Sequence, residues 1–568
     1  MSDYMAEYRK WMSYEALEPE LKKELAAIEN DPKEIEERFA FPLSFGTAGL
    51  RGVIRAGLNG MNIYTVAQAT QGLAELVKRD GGAAAGVVIA SDTRIKSDAF
   101  SEISARVLAA NGIRAYLFDA PRPTPELSFA LRYLHAKAGI NVTASHNPNI
   151  YNGYKAYWED GAQISLEQAE VVSSAIDSVD IFEGVKLMDL EQAKNEGLIQ
   201  IIGQEVDEAY MQVVLAERIR PEAVAEVADD FKVVYTPFHG TGRVLVPEVL
   251  KRAGLKHLYC VEEQMVPDGR FPTVKSPNPE DKEGFALAIE LAEKHGCDLL
   301  IGTDPDADRV GVIVRTANGE FVPLTGNQIG VMLLSYIIEA RKLANKLPAN
   351  AAAVKSIVST TLANRICEAN GVTMMEVLTG FKFIGEKIKE FEATGSHTYI
   401  FGFEESYGYL SGTYARDKDA VCASMLITEM AAFYRARGKS LYEVLCGIFE
   451  KYGYYKEGVA NIAFPGLAGL EAMKERMNAL RTEPPKAIAG EKVVSVADYQ
   501  TGLITFSDGT SRPTGLPKSN VLFFTFENGD SIVIRPSGTE PKIKHYYLVS
   551  GKTEAEADKK LERYQAAF

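Results

Sequence analysis

Three carboxylates at alternate positions, Asp304, Asp306 and Asp308 in GlyThrAspProAspAlaAspArg, follow directly on an apolar run that ends at Ile301. Carboxylates crowded this way repel unless a cation lies among them, and a set of hard oxygen ligands suits Mg²⁺. The competing reading is a solvated acidic turn. An EF-hand starting at Asp304 is excluded, because Arg309 and Arg315 stand where its sixth-position Gly and twelfth-position Glu belong. A second candidate is Ser145: the β-prone run 140–142 stops at SerHisAsnPro, which puts Ser145 on a loop at the carboxyl end of a strand, where open α/β sheets bind ligands. Two further loops suit anions. PheGlyThrAlaGlyLeuArgGly (45–52) has three glycines that let backbone approach a ligand and the fork of Arg51. ArgProSerGlyThrGluPro (535–541) groups Arg535, Ser537, Gly538 and Thr539 as an anion nest. Glu404 and Ser406, in GlyPheGluGluSer, are suited to hydrogen-bond vicinal hydroxyls.

The elements that must position these loops alternate along the chain. Residues 86–91, 114–118 and 139–143 read as strands and 98–110 as a helix, so residues 1–205 are expected to form a mixed sheet covered on both faces. A second unit, 206–325, delivers the Asp triplet after a strand at 298–301. A third, 326–453, ends a strand at 398–401 in the GluGluSer loop. From 454 to 568 the strands shorten around a helix, and a helix at 553–567 closes the chain. The expected fold class is therefore α/β, with three successive α/β domains of mixed sheets covered by helices and a smaller C-terminal α+β domain. Residues 2–29 carry Tyr, Trp, Leu and Ile at helical spacing and read as one amphipathic helix on a domain surface. HisGlyThrGlyArg (239–243) reads as a glycine-assisted strand-to-helix turn in preference to a phosphate contact, the alternative.

A chain of 568 residues is too long for one core and implies about four domains. Its formal charge of -15 disfavours nucleic acid and anionic membranes as partners, so a phosphorylated ligand must be gripped by local clusters. Five cysteines without paired spacing argue against a disulfide framework or a zinc site and for the reducing cytoplasm. No signal-type or membrane-length apolar run stands out, and the apolar stretch 329–338 is too short to span a bilayer. A cytoplasmic monomer or small homo-oligomer is expected.

ThrAlaSerHisAsnPro followed by AsnGlyTyrLys (Asn152–Lys155) resembles the active-site signature of the α-D-phosphohexomutases, the phosphoglucomutase and phosphomannomutase family. The Asp loop is similar to that family's metal loop, GlyPheGluGluSer to its sugar loop and ArgProSerGlyThrGluPro to its phosphate loop, in the family's order and over nearly the whole chain. The resemblance implies that Ser145 carries a phosphoryl group, shares Mg²⁺ with Asp304, Asp306 and Asp308, and has Thr47 and Arg51 as neighbours. It further implies that Arg309 helps draw off charge and that His146 and Lys155 lie beside the reacting hydroxyl. Lys155 would be the general acid/base, its pKa lowered by burial among cations. By the same resemblance Glu404, Ser406 and Lys382 contact the sugar, and Arg535, Ser537, Gly538 and Thr539 hold the phosphate that is not reacting; Arg416 and Lys418, which follow close by in sequence, are expected to add charge. These implications assign residues 1–205 to a phosphoserine domain, 206–325 to metal, 326–453 to sugar and 454–568 to phosphate. The small-molecule partners would be sugar phosphates, with glucose 1,6-bisphosphate as intermediate. TyrTrp after Lys155 and the long N-terminus resemble the family's longer phosphoglucomutase branch, which also includes phosphopentomutases, and glucose 1-phosphate and glucose 6-phosphate are the expected pair. Phosphopentomutase or phosphomannomutase activity is the alternative, and a non-catalytic sugar-phosphate-binding regulator a further one. No GxSxG elbow surrounds Ser145, which disfavours a serine hydrolase. Asp308 stands where a haloacid-dehalogenase-type phosphatase needs Thr or Val, which disfavours that class too.

Overall fold

A strand covered on both faces has to be apolar throughout, and Leu299–Thr303 is buried at every position. The computed structural model describes residues 3–47, 49–464, 466–537 and 542–568. Two compact units emerge, Met1–Leu324 with Gly408–Arg437, and Thr325–Tyr407 with Gly438–Phe568.

In the first unit, β1 (Leu50–Val53), β2 (Val87–Ser91), β3 (Ala115–Phe118), β4 (Ala138–Val142), β5 (Tyr151–Trp158) and β6 (Ile199–Ile202) form a sheet in the order β1-β5-β4-β2-β3-β6. β2 runs parallel to β3 and β4, and β3 to β6, while β5 is antiparallel to β4 and β1. The register sets Asn141 of β4 opposite Lys155 of β5, so the turn bearing Ser145 and the strand bearing Lys155 are tied by one hairpin. Gly49 sits at φ +73 where β1 meets β5, and a Cβ there would lie 1.8 Å from the Tyr154 carbonyl oxygen, so only glycine permits this approach.

A second sheet follows in the same unit: β7 (Lys232–Thr236), β8 (His257–Cys260), β9 (Leu299–Thr303), β10 (Val310–Arg315) and β11 (Phe321–Leu324), ordered β11-β10-β9-β7-β8. Thr303 pairs with Val310 across the β9–β10 hairpin, and the residues that close it are Asp304–Arg309. Residues 2–29 form not one helix but two, Tyr4–Ser13 and Pro19–Ala27, and a third, Pro32–Phe39, follows. Pro19 and Pro32 each stand at a helix start, where the missing N–H costs nothing and helix cannot run through. Their shared core is Trp11, fully buried edge-on to Phe39, Tyr64 and Phe182.

In the second unit β12 (Ala351–Ser356) pairs in parallel with β13 (Thr373–Val377) and β14 (Thr398–Glu404). Its C-terminal part is an antiparallel sheet whose longest strands, Tyr454–Ala463 and Lys542–Gly551, pair along their full length beside the helix Glu554–Ala567. The fold class is thus three α/β/α domains with mixed sheets and a C-terminal domain rich in sheet. Among the described residues no helix is long and apolar enough to cross a membrane.

Glu126, in the first turn of the helix Thr124–Tyr133, is fully buried, and burial first and neighbouring Asp207 next push its pKa well above the usual carboxyl value. A proton held more tightly folded than unfolded leaves stability complete below the unfolded pKa of about 4.3 and removes it as pH rises toward the folded value. Glu126→Gln keeps the shape without the titration. Urea unfolding is expected to find the variant equal to wild type near pH 4 and more stable by about pH 8; a variant no more stable at the higher pH contradicts the assignment.

Candidate active site

Ser145 adopts φ +53, a left-handed conformation uncommon for a residue with a Cβ, and its side chain is buried at the end of β4. Its N–H donates to Thr143 Oγ1 at 2.8 Å, and the Thr143 hydroxyl donates to Asp92 Oδ2 at 2.6 Å. So anchored, the Ser145 hydroxyl donates to Asp304 Oδ2 at 2.7 Å and lies 3.3 Å from His146 Nδ1. Arg51 Nη1 donates to the side chain of Asn147 at 3.4 Å. Thr47 lies within the turn closed by paired hydrogen bonds between Gly46 and Gly49.

The Asp loop is held from both sides. Asp304 Oδ1 accepts the N–H groups of Asp308 and Arg309, each at 3.1 Å. Asp306 Oδ2 accepts from the Thr124 hydroxyl and from Lys155 Nζ, both at 2.8 Å. Asp308 Oδ2 lies 3.1 Å from Lys418 Nζ and 3.7 Å from Lys155 Nζ, and its Oδ1 lies 3.8 Å from Arg309 Nε. One oxygen from each of Asp304, Asp306 and Asp308 falls within 4.8 Å of the others, and all three residues are buried. Asp306 Oδ1 and Asp308 Oδ1 are buried acceptors without a hydrogen-bond partner. A close set of three buried carboxylates that also leaves two buried oxygens unpartnered is what a hard divalent cation would satisfy, so the donor set fits a metal.

The charges shift one another. Burial, then Asp306 and Asp308, push Asp304 well above the usual carboxylate range. Burial and Asp306 raise Asp308 against the pull of Lys418 and Lys155. Burial also acts to raise Asp306, but Lys155 and hydrogen bonds outweigh it and hold this carboxyl low. Burial pushes the pKa of His146 well below its ordinary value, and Arg309 and Arg51 add to that. Lys155 corrects the expectation drawn from its resemblance: burial lowers its pKa, but Asp306 and Asp308 outweigh burial and raise it. Its immediate partners are carboxylates, not cations.

The second unit carries the other expected residues. Glu404, at the end of β14, accepts the Gly380 N–H at 2.7 Å, just before the helix Phe381–Thr394. Lys382, in that helix's first turn, is half-buried, which lowers its pKa, and its Nζ lies 4.8 Å from the Phe383 ring centre. Ser406 follows in the turn and is half-exposed. Glu405 accepts from the Ser356 hydroxyl at 3.1 Å, and burial and Glu404 push its pKa up to about 7 against the pull of Arg535. Arg535 ends a strand opposite Lys544, and the Ser537 N–H donates to the Lys542 carbonyl at 2.8 Å. Gly538 and Thr539 lie outside the described residues.

Several site residues escaped the sequence. Lys418 was read with the sugar loop that precedes it, yet it touches Asp308 and belongs to the first unit. Arg416 turns its guanidinium to the carbonyls of Thr413 and Ala415 and serves its own loop. Thr124, Asp92 and Arg94 were not singled out, although AspThrArg directly after the apolar strand β2 was a signal of the same kind as Ser145 after β4. The 239–243 loop buttresses the Asp loop: Thr241 donates its N–H and hydroxyl to the Pro305 carbonyl at 2.8 and 3.0 Å. A Cβ at Gly240 would come within 2.5 Å of Pro305 Cα.

Three family descriptions match the chain in succession: phosphoglucomutase/phosphomannomutase alpha/beta/alpha domain I over residues 42–181, domain II over 208–319 and domain III over 325–452. A phosphoglucomutase of Staphylococcus epidermidis is 40% identical over 523 residues, 91% of this chain and 92% of the relative. The solved structure of the Paramecium phosphoglucomutase pp63/parafusin in its open form shares the fold at a TM-score of 0.67 and 18% identity, covering 92% of this chain and 95% of that one. Aspergillus fumigatus N-acetylphosphoglucosamine mutase, solved with GlcNAc-6P and magnesium, shares it at a TM-score of 0.51 and 13% identity, covering 99% and 98%.

Asp306→Asn removes one anionic donor with little change of shape, so divalent-cation affinity measured by calorimetry on the full chain is expected to fall by about tenfold or more. Wild-type affinity in the variant would reduce the triplet to an acidic turn.

Proposed function

The chain belongs to the phosphoglucomutase/phosphomannomutase family, and we propose that within it the protein interconverts α-D-glucose 1-phosphate and glucose 6-phosphate through a phosphoserine at Ser145 and a glucose 1,6-bisphosphate intermediate. The observation that carries the reading is the contact of the Ser145 hydroxyl with Asp304, inside a cluster of three buried carboxylates that also holds Lys155. The relative named phosphoglucomutase, at 40% identity, supports glucose over mannose or pentose. The magnesium present with the Aspergillus enzyme supports Mg²⁺ as the cation here.

Asp304, Asp306, Asp308 and an oxygen on Ser145 would hold the ion. Mg²⁺ supplies charge neutralisation, offsetting these carboxylates and the phosphoryl group in flight. Lys155, held by Asp306 at 2.8 Å beside the serine loop, would be the group that takes the proton of the attacking sugar hydroxyl. The bond from phosphorus to the Ser145 oxygen breaks as the bond to the sugar oxygen forms, and Arg309 balances charge beside Asp308. The return transfer reverses these steps at the other end of the reoriented bisphosphate, and Lys155 gives the proton back. His146 Nδ1 lies 3.3 Å from the Ser145 hydroxyl as its hydrogen-bonding neighbour. In the second unit, Glu404, Ser406 and Lys382 take the sugar-reading role. Arg535, Ser537, Gly538 and Thr539 take the role of holding the other phosphate. A cytoplasmic location goes with this reading.

Ser145→Ala replaces a loop hydroxyl without opening a core cavity, so it is expected to abolish mutase turnover and leave the unfolding transition close to wild type. Intact mass after incubation with glucose 1,6-bisphosphate should gain one phosphoryl group in wild type and none in the variant. Near-normal turnover by the variant would end the relay assignment. Relative kcat/KM for glucose, mannose and ribose 1-phosphates tests the sugar.

Arg535→Ala removes a charge-assisted phosphate contact worth on the order of 1.5–3 kcal/mol, roughly ten- to a hundredfold in affinity. Both monophosphates should bind more weakly, and more bisphosphate should escape in a single turnover. Unchanged KM and unchanged release would make the 535–541 loop a structural turn.

A further inference from the structure

Arg94 lies just past β2 and is almost wholly buried, beneath the loop that carries Ser145. Its Nη2 donates to the carbonyls of Ser145, at 2.5 Å, and of Asn147. Its Nη1 donates to those of Pro148 and Tyr151, both at 2.9 Å. A planar guanidinium therefore gathers four carbonyl groups from seven consecutive residues, a task that the point charge of a lysine does not reproduce. The fork is itself aimed. Its Nε lies 3.2 Å from Asp92 Oδ2, and Asp92 Oδ1 accepts the Arg94 N–H at 2.9 Å and the Ser97 hydroxyl at 3.1 Å. Phe271 closes the assembly, its ring centre 5.1 Å from the guanidinium carbon.

The same Asp92 Oδ2 accepts the Thr143 hydroxyl, whose oxygen accepts the Ser145 N–H. Ser145 is thus gripped at its N–H through Thr143 and at its carbonyl by Arg94, and both grips lead back to one buried carboxylate. A residue at φ +53 that carries a Cβ persists only when its surroundings over-determine it, and these two grips do so. The consequence is the 2.7 Å contact of the serine hydroxyl with Asp304.

We propose that Arg94, aimed by Asp92, is a positioning residue for phosphoryl transfer: it holds the backbone of 145–151 so that the serine oxygen remains at Asp304. The inference rests on the Ser145 relay proposed above. Arg94 touches no reacting atom, and its effect falls on the transfer step because misplacing a reacting group by about 1 Å costs about a hundredfold in rate.

The test uses the full chain phosphorylated with glucose 1,6-bisphosphate, and follows transfer to glucose 1-phosphate in single-turnover quench-flow with intact mass as the readout. Arg94→Lys is expected to lower the transfer rate by about a hundredfold while KM changes little. Thr143→Val, which removes the hydroxyl at constant shape, should lower the same rate, and Thr143→Ser should restore it. A purely structural role predicts lowered stability with the transfer rate of the folded fraction unchanged, and that result overturns the proposal. So does a loss that appears only in KM. If Arg94→Lys does not fold, the Thr143 pair decides alone: transfer by Thr143→Val at the wild-type rate overturns the proposal. A wild-type chain that takes no phosphoryl group on Ser145 would instead overturn the relay itself.

Discussion

Three carboxylates buried within 4.8 Å of one another are the constraint on which the first unit depends. At an effective dielectric of about 20, two unit charges at that separation repel by roughly 3 kcal/mol. Three such pairs rival the whole stability of a domain, about 5–15 kcal/mol. The fold answers with Lys155 from β5, Lys418 from the 408–437 segment, Arg309 from the loop itself, and two backbone N–H groups on Asp304. Because these compensations come from distant stretches, the carboxylate cluster ties separate parts of the chain to a single point.

Part of the strained backbone lies in the loops around the same point. Ser145, Ala307, Phe238 and His239 all adopt positive φ in loops that follow strands. Such conformations cost about 1–3 kcal/mol each and survive where hydrogen bonds over-determine them. Thr143 and Arg94 do this for Ser145. The Ala307 N–H donates to the Asp304 carbonyl, and the His239 N–H donates to the Gln264 carbonyl. Thr241 then grips Pro305 between two of the three aspartates. Strain in one loop is offset by its neighbours, and the serine and the aspartates end in register.

What the sequence revealed follows from how local each signal is. Ser145 and the Asp triplet were legible because residue type, spacing and the apolar strand before them lie within a few positions. The alternation of strand and helix carried the α/β class for the same reason. The sign of the Lys155 shift was hidden, since it is decided by Asp306 and Asp308, more than a hundred residues away and reached only through the meeting of two hairpins. Lys418 was hidden by its neighbours in sequence, because the sugar loop just before it belongs to the other unit. The break in the N-terminal helix is readable in the sequence: Pro19 outranks a stripe of apolar residues.

Charge balance leads one step further. Lys155, Lys418 and Arg309 already face Asp304, Asp306 and Asp308 three to three, with Asp417 also 2.8 Å from Lys418, so a divalent cation alone would leave the pocket in positive excess. A phosphoryl group on Ser145, close to a dianion at neutral pH, would alone leave it negative. Arriving together they cancel. On the proposed reading, metal occupancy and phosphorylation of Ser145 are therefore thermodynamically linked, each raising the affinity for the other by the same factor. The linkage needs no conformational change. It follows from setting the serine oxygen 2.7 Å from one of the carboxylates that would hold the ion.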